Sequence, residues 1–484
     1  MTDAYVKIAQ LKSAAALRTR LAELGIELPV DDQILTAADS SPLAQPWQLG
    51  NLRCGNRWCI HPMEGWDGTA DGAPTELTWR RWENFGRSGA KLIWGGEAAA
   101  VQPDGRANPH QLLATPAHQA GLAHLLDRLR TSHRERFGTL DDLVVGLQLT
   151  HSGRFSRPHN QRMEPRIAYH HPLLDARFGI APDDDSVIWS DAALEQLIDA
   201  YVTSARVARD VGFQFVDVKA CHGYLLHEFL SARIRPGRFG GDLAGRSRVL
   251  RTIVERIRSE VRGLEVGVRL SLYDTVPYQR GAVCGEPVPY AAHLPYAYGF
   301  GLDPDDPLTI DLAEPLALLR ELQACGVCGI NVTCGSPYYN PHIQRPALFP
   351  PSDGYPPPED PLLGVQRLIQ ATKRLRAAVP GLPLVGTGYT YLQDYLPHVA
   401  QGVVRAGWVD AVGIGRMVLA YPGLPADCLE TGRIQRKLIC RTLSDCTTAP
   451  RKGLASGCYP LDPFYKSLPQ AAELKQLKAG SPTK

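Results

Sequence analysis

The sequence lacks most of what would mark a membrane, secreted or nucleic-acid-binding protein. No stretch approaches the eighteen or more uninterrupted apolar residues of a membrane span, so none is expected. Neither sign of charge is in excess: 52 Lys and Arg against 50 Asp and Glu leave a net +2, with no basic face or tail for nucleic acid or an anionic membrane. The opening MTDAYVKIAQLKSAAALRTRLAELG carries charges every few residues and has no secretory apolar core; it reads as an amphipathic helix. Eleven cysteines, odd in number and irregular in spacing, make no disulfide framework and fit reduced thiols in a cytoplasmic protein. There is no repeat of fixed period and no low-complexity tract. Nor does any G-x-G-x-x-G open a helix, which counts against a dinucleotide-binding doubly wound sheet.

What remains is a globular composition, 44% hydrophobic and 21% charged over 484 residues, with a small molecule as the expected partner. Eight short apolar runs rich in branched residues are candidate strands: 58–63, 91–98, 143–149, 215–219, 266–271, 329–333, 382–387 and 409–414. Helical periodicity falls between them at 76–87, 116–137, 191–211, 246–261, 312–324, 363–379 and 392–405, the last interrupted by Pro397. Eight such units imply an α/β fold, a (β/α)8 TIM barrel, over 56–430. An N-terminal helix and connector (1–55) would cap it, and a cysteine-containing extension (431–484) would pack on it, underneath. A polar tail from about Glu473 is expected to be disordered. Two long insertions after strands, 274–311 and 337–361, are expected to wall the site, because such loops emerge on the face where barrel active sites lie.

The chemistry concentrates in FVDVKACHGYLLHEFLSARIRPGRFGGDLAGRSR. Lys219, His222 and Tyr224 stand at the mouth end of the fourth strand. A carbonyl oxygen held by Lys219 and His222 would have developing enolate charge stabilised there, while Tyr224 could protonate the adjacent carbon. The alternative is a satisfied polar loop.

HGYLLHEFLS followed by GG and GRSR resembles the signature of the old yellow enzyme and NADH:flavin oxidoreductase family, and other segments agree in order. The run His61-Pro62-Met63 is similar to the flavin-backing segment, and GEAAAVQPDGR, with Ala98, to the loop after the second strand. LQLTHSGR places Gln148 at the flavin pyrimidine, and VRLS places Arg269 at the flavin N1 and C2 carbonyl. VGTGYT, with Gly388, and VGIGRMVLAYP, with Gly415 and Arg416, resemble the phosphate-binding turns. The resemblance spans roughly residues 50 to 420. It implies non-covalent FMN, NADH or NADPH as electron donor, substrate contacts from Trp66, Lys219 and His222, and reduction of an activated alkene with Tyr224 as proton donor.

Three departures qualify it. Lys219 stands where the family usually has histidine, and suits an anionic substrate or a developing enolate. Glu64 follows Pro62-Met63 where threonine or cysteine is common. It would lower the flavin potential or be held protonated, with Lys219 as its charge partner, or else point into solvent beside Trp66. Cys440, Cys446 and Cys458 are similar to the iron-sulfur segment of the dienoyl-CoA reductase and trimethylamine dehydrogenase branch but supply three thiolates where a 4Fe-4S cluster needs four; no cluster is expected. Cys325 and Cys328 form a C-x-x-C with no second pair at zinc spacing and read as buried structure, so no metal is expected. The chain is too short for that branch's further FAD and dinucleotide domains, so electrons would reach the FMN directly or through a separate reductase. A homo-oligomer stays open. Two other functions stay open as well: oxidative dehydrogenation or demethylation using Lys219 and Glu64, and a flavin-free lyase using Lys219 as Schiff-base nucleophile.

Overall fold

The computed structural model describes residues 5–479. Eight parallel strands close into a barrel: β1 (Trp58–Ile60), β2 (Leu92–Ile93), β3 (Val144–Thr150), β4 (Phe215–Ala220), β5 (Glu265–Ser271), β6 (Gly329–Thr333), β7 (Leu384–Gly386) and β8 (Ala411–Ile414). Each pairs with its sequence neighbour, and β8 returns to β1 through Val412 opposite Trp58 and Ile414 opposite Ile60. The eight expected strands are these eight, and the fold is a (β/α)8 barrel.

Period-two alternation decides what the barrel contains. Outward positions are aliphatic: Val145, Leu147 and Leu149 on β3, Val216 and Val218 on β4, Val266, Val268 and Leu270 on β5 all join the layer beneath the helices. Inward positions change character with height. At the N-terminal end Cys59, Leu92, Val144, Phe215 and Val385 form a second apolar cluster, closed from below by the antiparallel hairpin Trp47–Leu49/Leu52–Cys54. Higher on the same strands the inward residues are polar: Gln148, Asp217, Lys219, Arg269 and Thr333, all buried. A plugged base and a polar mouth follow from the same alternation.

The outer helices bury one stripe each. In Arg248–Glu260 the buried set is Val249, Leu250, Ile253, Val254 and Ile257, the spacing of one helical face. Ser190 caps Asp191–Val211 by accepting from the Ala193 amide, and Gly212, at φ 101°, ends it. Pro397 does not interrupt a helix; it opens Leu396–Arg405 at a position where its missing N–H costs nothing.

Three other expectations are corrected. The leading amphipathic helix is confined to Ala14–Glu23, because Ser13 caps it; of the opening stretch, 1–4 lie outside the described residues. The tail expected to be disordered is helical over Pro469–Ala479, with Leu474 buried against Tyr459 and Tyr465, while 480–484 lie outside the described residues. The segment after 431 does not pack beneath the barrel but across its mouth. It is fastened to loop carbonyls there: Ser444 Oγ donates to Phe349 O (2.6 Å), Arg451 Nη2 to Pro337 O (2.8 Å) and the Ser456 amide to Gly65 O (2.9 Å).

Candidate active site

One cleft opens at the C-terminal mouth, and it gathers every expected site residue. Pro62, Met63, Glu64 and Trp66 come from the loop after β1, and Ala98 from a short strand, Ala98–Ala100, that follows β2 and pairs with β3. Gln148 lies on β3, Lys219, His222 and Tyr224 on β4 and its loop, and Arg269 on β5. Gly388, Gly415 and Arg416 come from the loops after β7 and β8. The Pro62 segment is held by a buried cluster: Arg81 donates to Met63 O (3.1 Å), to Asp67 (2.9 Å) and to Glu97 (2.7 Å), and Glu97 in turn accepts from the Gly65 amide (3.2 Å).

Within the cleft five side chains, Glu64, Trp66, Lys219, Tyr224 and Tyr338, lock together. Lys219 Nζ donates to Glu64 Oε1 at 2.6 Å and lies 3.6 Å from the centre of the Tyr224 ring, a cation–π contact. Tyr224 OH donates to Glu64 Oε2 at 2.8 Å and lies 3.0 Å from Tyr338 OH; Trp66 Nε1 donates to the same carboxylate at 3.0 Å. Glu64 therefore does not point into solvent, and Lys219 is its partner. Burial first, then the Glu64 carboxylate and Tyr338, hold the Tyr224 phenol well above its ordinary range, so it keeps its proton. His222 takes a left-handed backbone (φ 65°) with its amide donating to Ser271 Oγ at 3.1 Å. Burial and the nearby Arg269 and Lys219 charges push its imidazole well below the usual range, so the ring is neutral at physiological pH.

The middle of the cleft is a shelf with directed donors. Gln148, which lines the cleft, donates from Nε2 to Asp217 Oδ2 at 2.5 Å. Burial lifts Asp217 to about 6, against the pull of Gln148 and Arg269. His61 is neutral, driven well below its ordinary value by burial and then by Arg269; with Asn331 Nδ2 donating to its Nδ1 at 3.0 Å, its proton is assigned to Nε2. At the far end Gly388, at φ 94°, makes a turn most side chains would strain.

Buried donors along this cleft with no hydrogen-bond partner among the described residues include His61 Nε2, Arg269 Nε, Arg345 Nη2 and Arg416 Nη1. Pro62, Met63 and Ala98 add apolar lining to the same cleft. A cleft lined by apolar residues together with an amide, the Arg269 guanidinium and the neighbouring Arg345 and Arg416 guanidinium groups suits a heterocycle bearing carbonyls and a phosphate tail; FMN has that form.

The sequence model of the NADH:flavin oxidoreductase / NADH oxidase family matches residues 42–284. The chain belongs to this family. The match runs from the N-terminal connector past β5, and the barrel's remaining strands follow in order beyond it. Among relatives of this family, putative 12-oxophytodienoate reductase 2 of Oryza sativa subsp. japonica is 26% identical over 251 residues, 49% of this chain and 61% of that protein. An NADPH dehydrogenase of Geobacillus thermodenitrificans is 28% identical over 260 residues, 52% of this chain and 69% of that protein. Morphinone reductase in complex with tetrahydroNAD shares the fold at a TM-score of 0.55 and 20% identity, covering 81% of this chain and 92% of the other.

Several lining residues escaped the sequence. His61 was read as part of the flavin-backing run but not singled out as a site residue, and Asp217 carries no signal beyond being a polar residue at an inward strand position. Tyr338, Gln344 and Arg345 come from the 337–361 insertion, which does wall the cleft. The 274–311 insertion does not line it. That loop packs Tyr296 and Tyr298 onto Tyr169 and His171 and lines a separate small pocket with Arg154 and Glu228. Cys446, Thr447 and Arg451 reach the cleft from the C-terminal segment. Cys440, Cys446 and Cys458 meet beside Arg416 and Leu419, and among the described residues no group is placed to hold a metal ion. Cys328 is buried and Cys325 half-buried beside Glu255. Among the described residues no helix is long and apolar enough to cross a membrane.

Proposed function

We propose that this protein is an FMN-dependent NAD(P)H oxidoreductase that reduces an activated alkene. Membership of the flavin oxidoreductase family supports the cofactor, and the observation that carries the reading is one cleft that gathers buried donors without partners and the Lys219–His222–Tyr224 cluster. FMN, when bound, supplies a two-electron carrier that accepts hydride from reduced nicotinamide and passes it to an electron-poor carbon. Gln148 and Arg269 would hold its pyrimidine edge, and Gly388, Gly415 and Arg416 its phosphate. Lys219 and the neutral His222 bind the substrate's carbonyl oxygen and stabilise negative charge on it. Trp66 and Tyr338 border the substrate, and Tyr224 holds the proton destined for the α-carbon.

One contact favours a second reading. Tyr224 OH donates to Glu64, a carboxylate able to receive a proton through the phenol, which suits oxidative dehydrogenation with Glu64 and Lys219 as the basic pair. Anaerobic mixing separates the two: NADH or NADPH should bleach the flavin bands and 2-cyclohexenone should restore them. Bands that resist both nucleotides overturn the reductase reading and direct attention to the oxidative one or to a separate reductase.

A further inference from the structure

We propose that Arg345, on the loop after β6, joins Arg416 in binding the phosphate of FMN, and that Thr447 of the C-terminal segment holds Arg345 in place. The proposal rests on the flavin reading above and extends it to a residue outside the segments that resemble the family.

The two guanidinium groups border the same cleft as Gly388 and Gly415. Arg416 Nη2 donates to Pro346 O at 3.2 Å, which ties it to the residue following Arg345. Arg345 Nη1 donates to Thr447 Oγ1. Each side chain then has one buried nitrogen with no partner among the described residues, Arg345 Nη2 and Arg416 Nη1.

Several other buried arginines are matched by carboxylates, while buried Arg106 spends its donors on the carbonyls of Ala70, Pro109 and Pro158. Arg81 sits 2.9 Å from Asp67 and 2.7 Å from Glu97, Arg154 2.5 Å from Glu228, and Arg246 2.5 Å from Glu314. Among the described residues no carboxylate lies within ion-pair distance of Arg345 or Arg416. The third guanidinium nearby, Arg451, is already engaged by Asp353 at 2.8 Å. Burial, with Arg451 and Arg416 adding their charge, pushes Arg345 down to about 9. Such a group is stabilised when an anion arrives. A phosphate monoester carries about −1.5 to −2 at neutral pH and offers three oxygens, which matches two guanidinium groups presenting free N–H donors. The neighbouring hydroxyl of Thr447 fixes the fork of Arg345, so that the C-terminal segment closes the phosphate end of the cleft.

Phosphate and flavin ring can be tested apart by titrating apoprotein with FMN and with riboflavin, following flavin fluorescence. Arg345→Gln should weaken FMN about 10- to 100-fold and leave riboflavin within about twofold of wild type. Arg345→Lys, which keeps the charge but not the fork, should fall between, and Thr447→Val should move FMN in the same direction by less. Equal losses for both flavins, or no loss for either, overturn the proposal. So does unchanged FMN affinity with weakened binding of benzoate, a result that assigns Arg345 to an anionic substrate. Wild-type apoprotein that binds neither flavin fails at the earlier step, the flavin site itself.

Discussion

Deleting one partner of the Lys219–Glu64 pair should cost far more than a surface ion pair would. The two atoms are 2.6 Å apart and the side chains are 6% and 12% exposed. At an effective dielectric near 20 the direct attraction over that distance is about 6 kcal/mol. Desolvation of both ions offsets most of it, so the effect appears when one charge is left alone, at about 3–5 kcal/mol. The two single variants are not equivalent. Lys219→Met leaves the carboxylate still accepting from Tyr224 and Trp66, whereas Glu64→Gln leaves an ammonium with the Tyr224 ring and an amide oxygen. Glu64→Gln should therefore sit at about 4 kcal/mol and Lys219→Met nearer 2–3 kcal/mol. The double variant should cost no more than the larger single, a coupling of about 2 kcal/mol or more. Urea unfolding of all four proteins at pH 7 measures this cycle. Single effects that add to within about 0.5 kcal/mol would refute a coupled buried pair.

Three further outcomes follow from named contacts. Tyr224→Phe should slow oxidation of the reduced enzyme by 2-cyclohexenone by about 100- to 10,000-fold while leaving reduction by NAD(P)H unchanged, measured as separate half-reactions; equal slowing of both would remove Tyr224 as proton donor. Because burial lifts Asp217 from 3.8 to about 6, the stability present below about pH 4 is lost as pH rises through about 6, by up to about 3 kcal/mol. Asp217→Asn should flatten the stability profile across that window, and an unchanged profile would contradict the assignment. Gly388→Ala should lower stability by about 1–2 kcal/mol through its left-handed backbone alone, and a Cβ there would come within 2.8 Å of Leu368, so the melting temperature should drop together with FMN affinity.

The barrel was legible because its signal is periodic. Eight apolar runs separated by amphipathic stretches admit few topologies, and the inward polar residues Gln148, Lys219 and Arg269 fall on strands whose register the pattern fixes. Local motifs such as HGYL and VGIGR placed the remaining expected residues, and all of them meet in one cleft. The partnership of Glu64 with Lys219 was also within reach, since an unpaired carboxylate facing a lysine across a closed barrel has few other partners. The lid was harder. Arg345 lies in an aperiodic, proline-rich insertion, and Thr447 and Arg451 lie in a segment that docks through polar contacts, Thr447 accepting from Arg345 and Arg451 donating to Pro337 O, which no hydrophobic pattern announces. For the same reason the cysteine-containing extension was placed beneath the barrel when it crosses the mouth.

The central claim is that the cleft holds FMN, and the most direct test is the absorption spectrum of the protein after saturation with FMN and gel filtration, followed by mass analysis of the cofactor released on denaturation. Flavin bands with one FMN per chain are the predicted result. Protein that emerges colourless after saturation would contradict it.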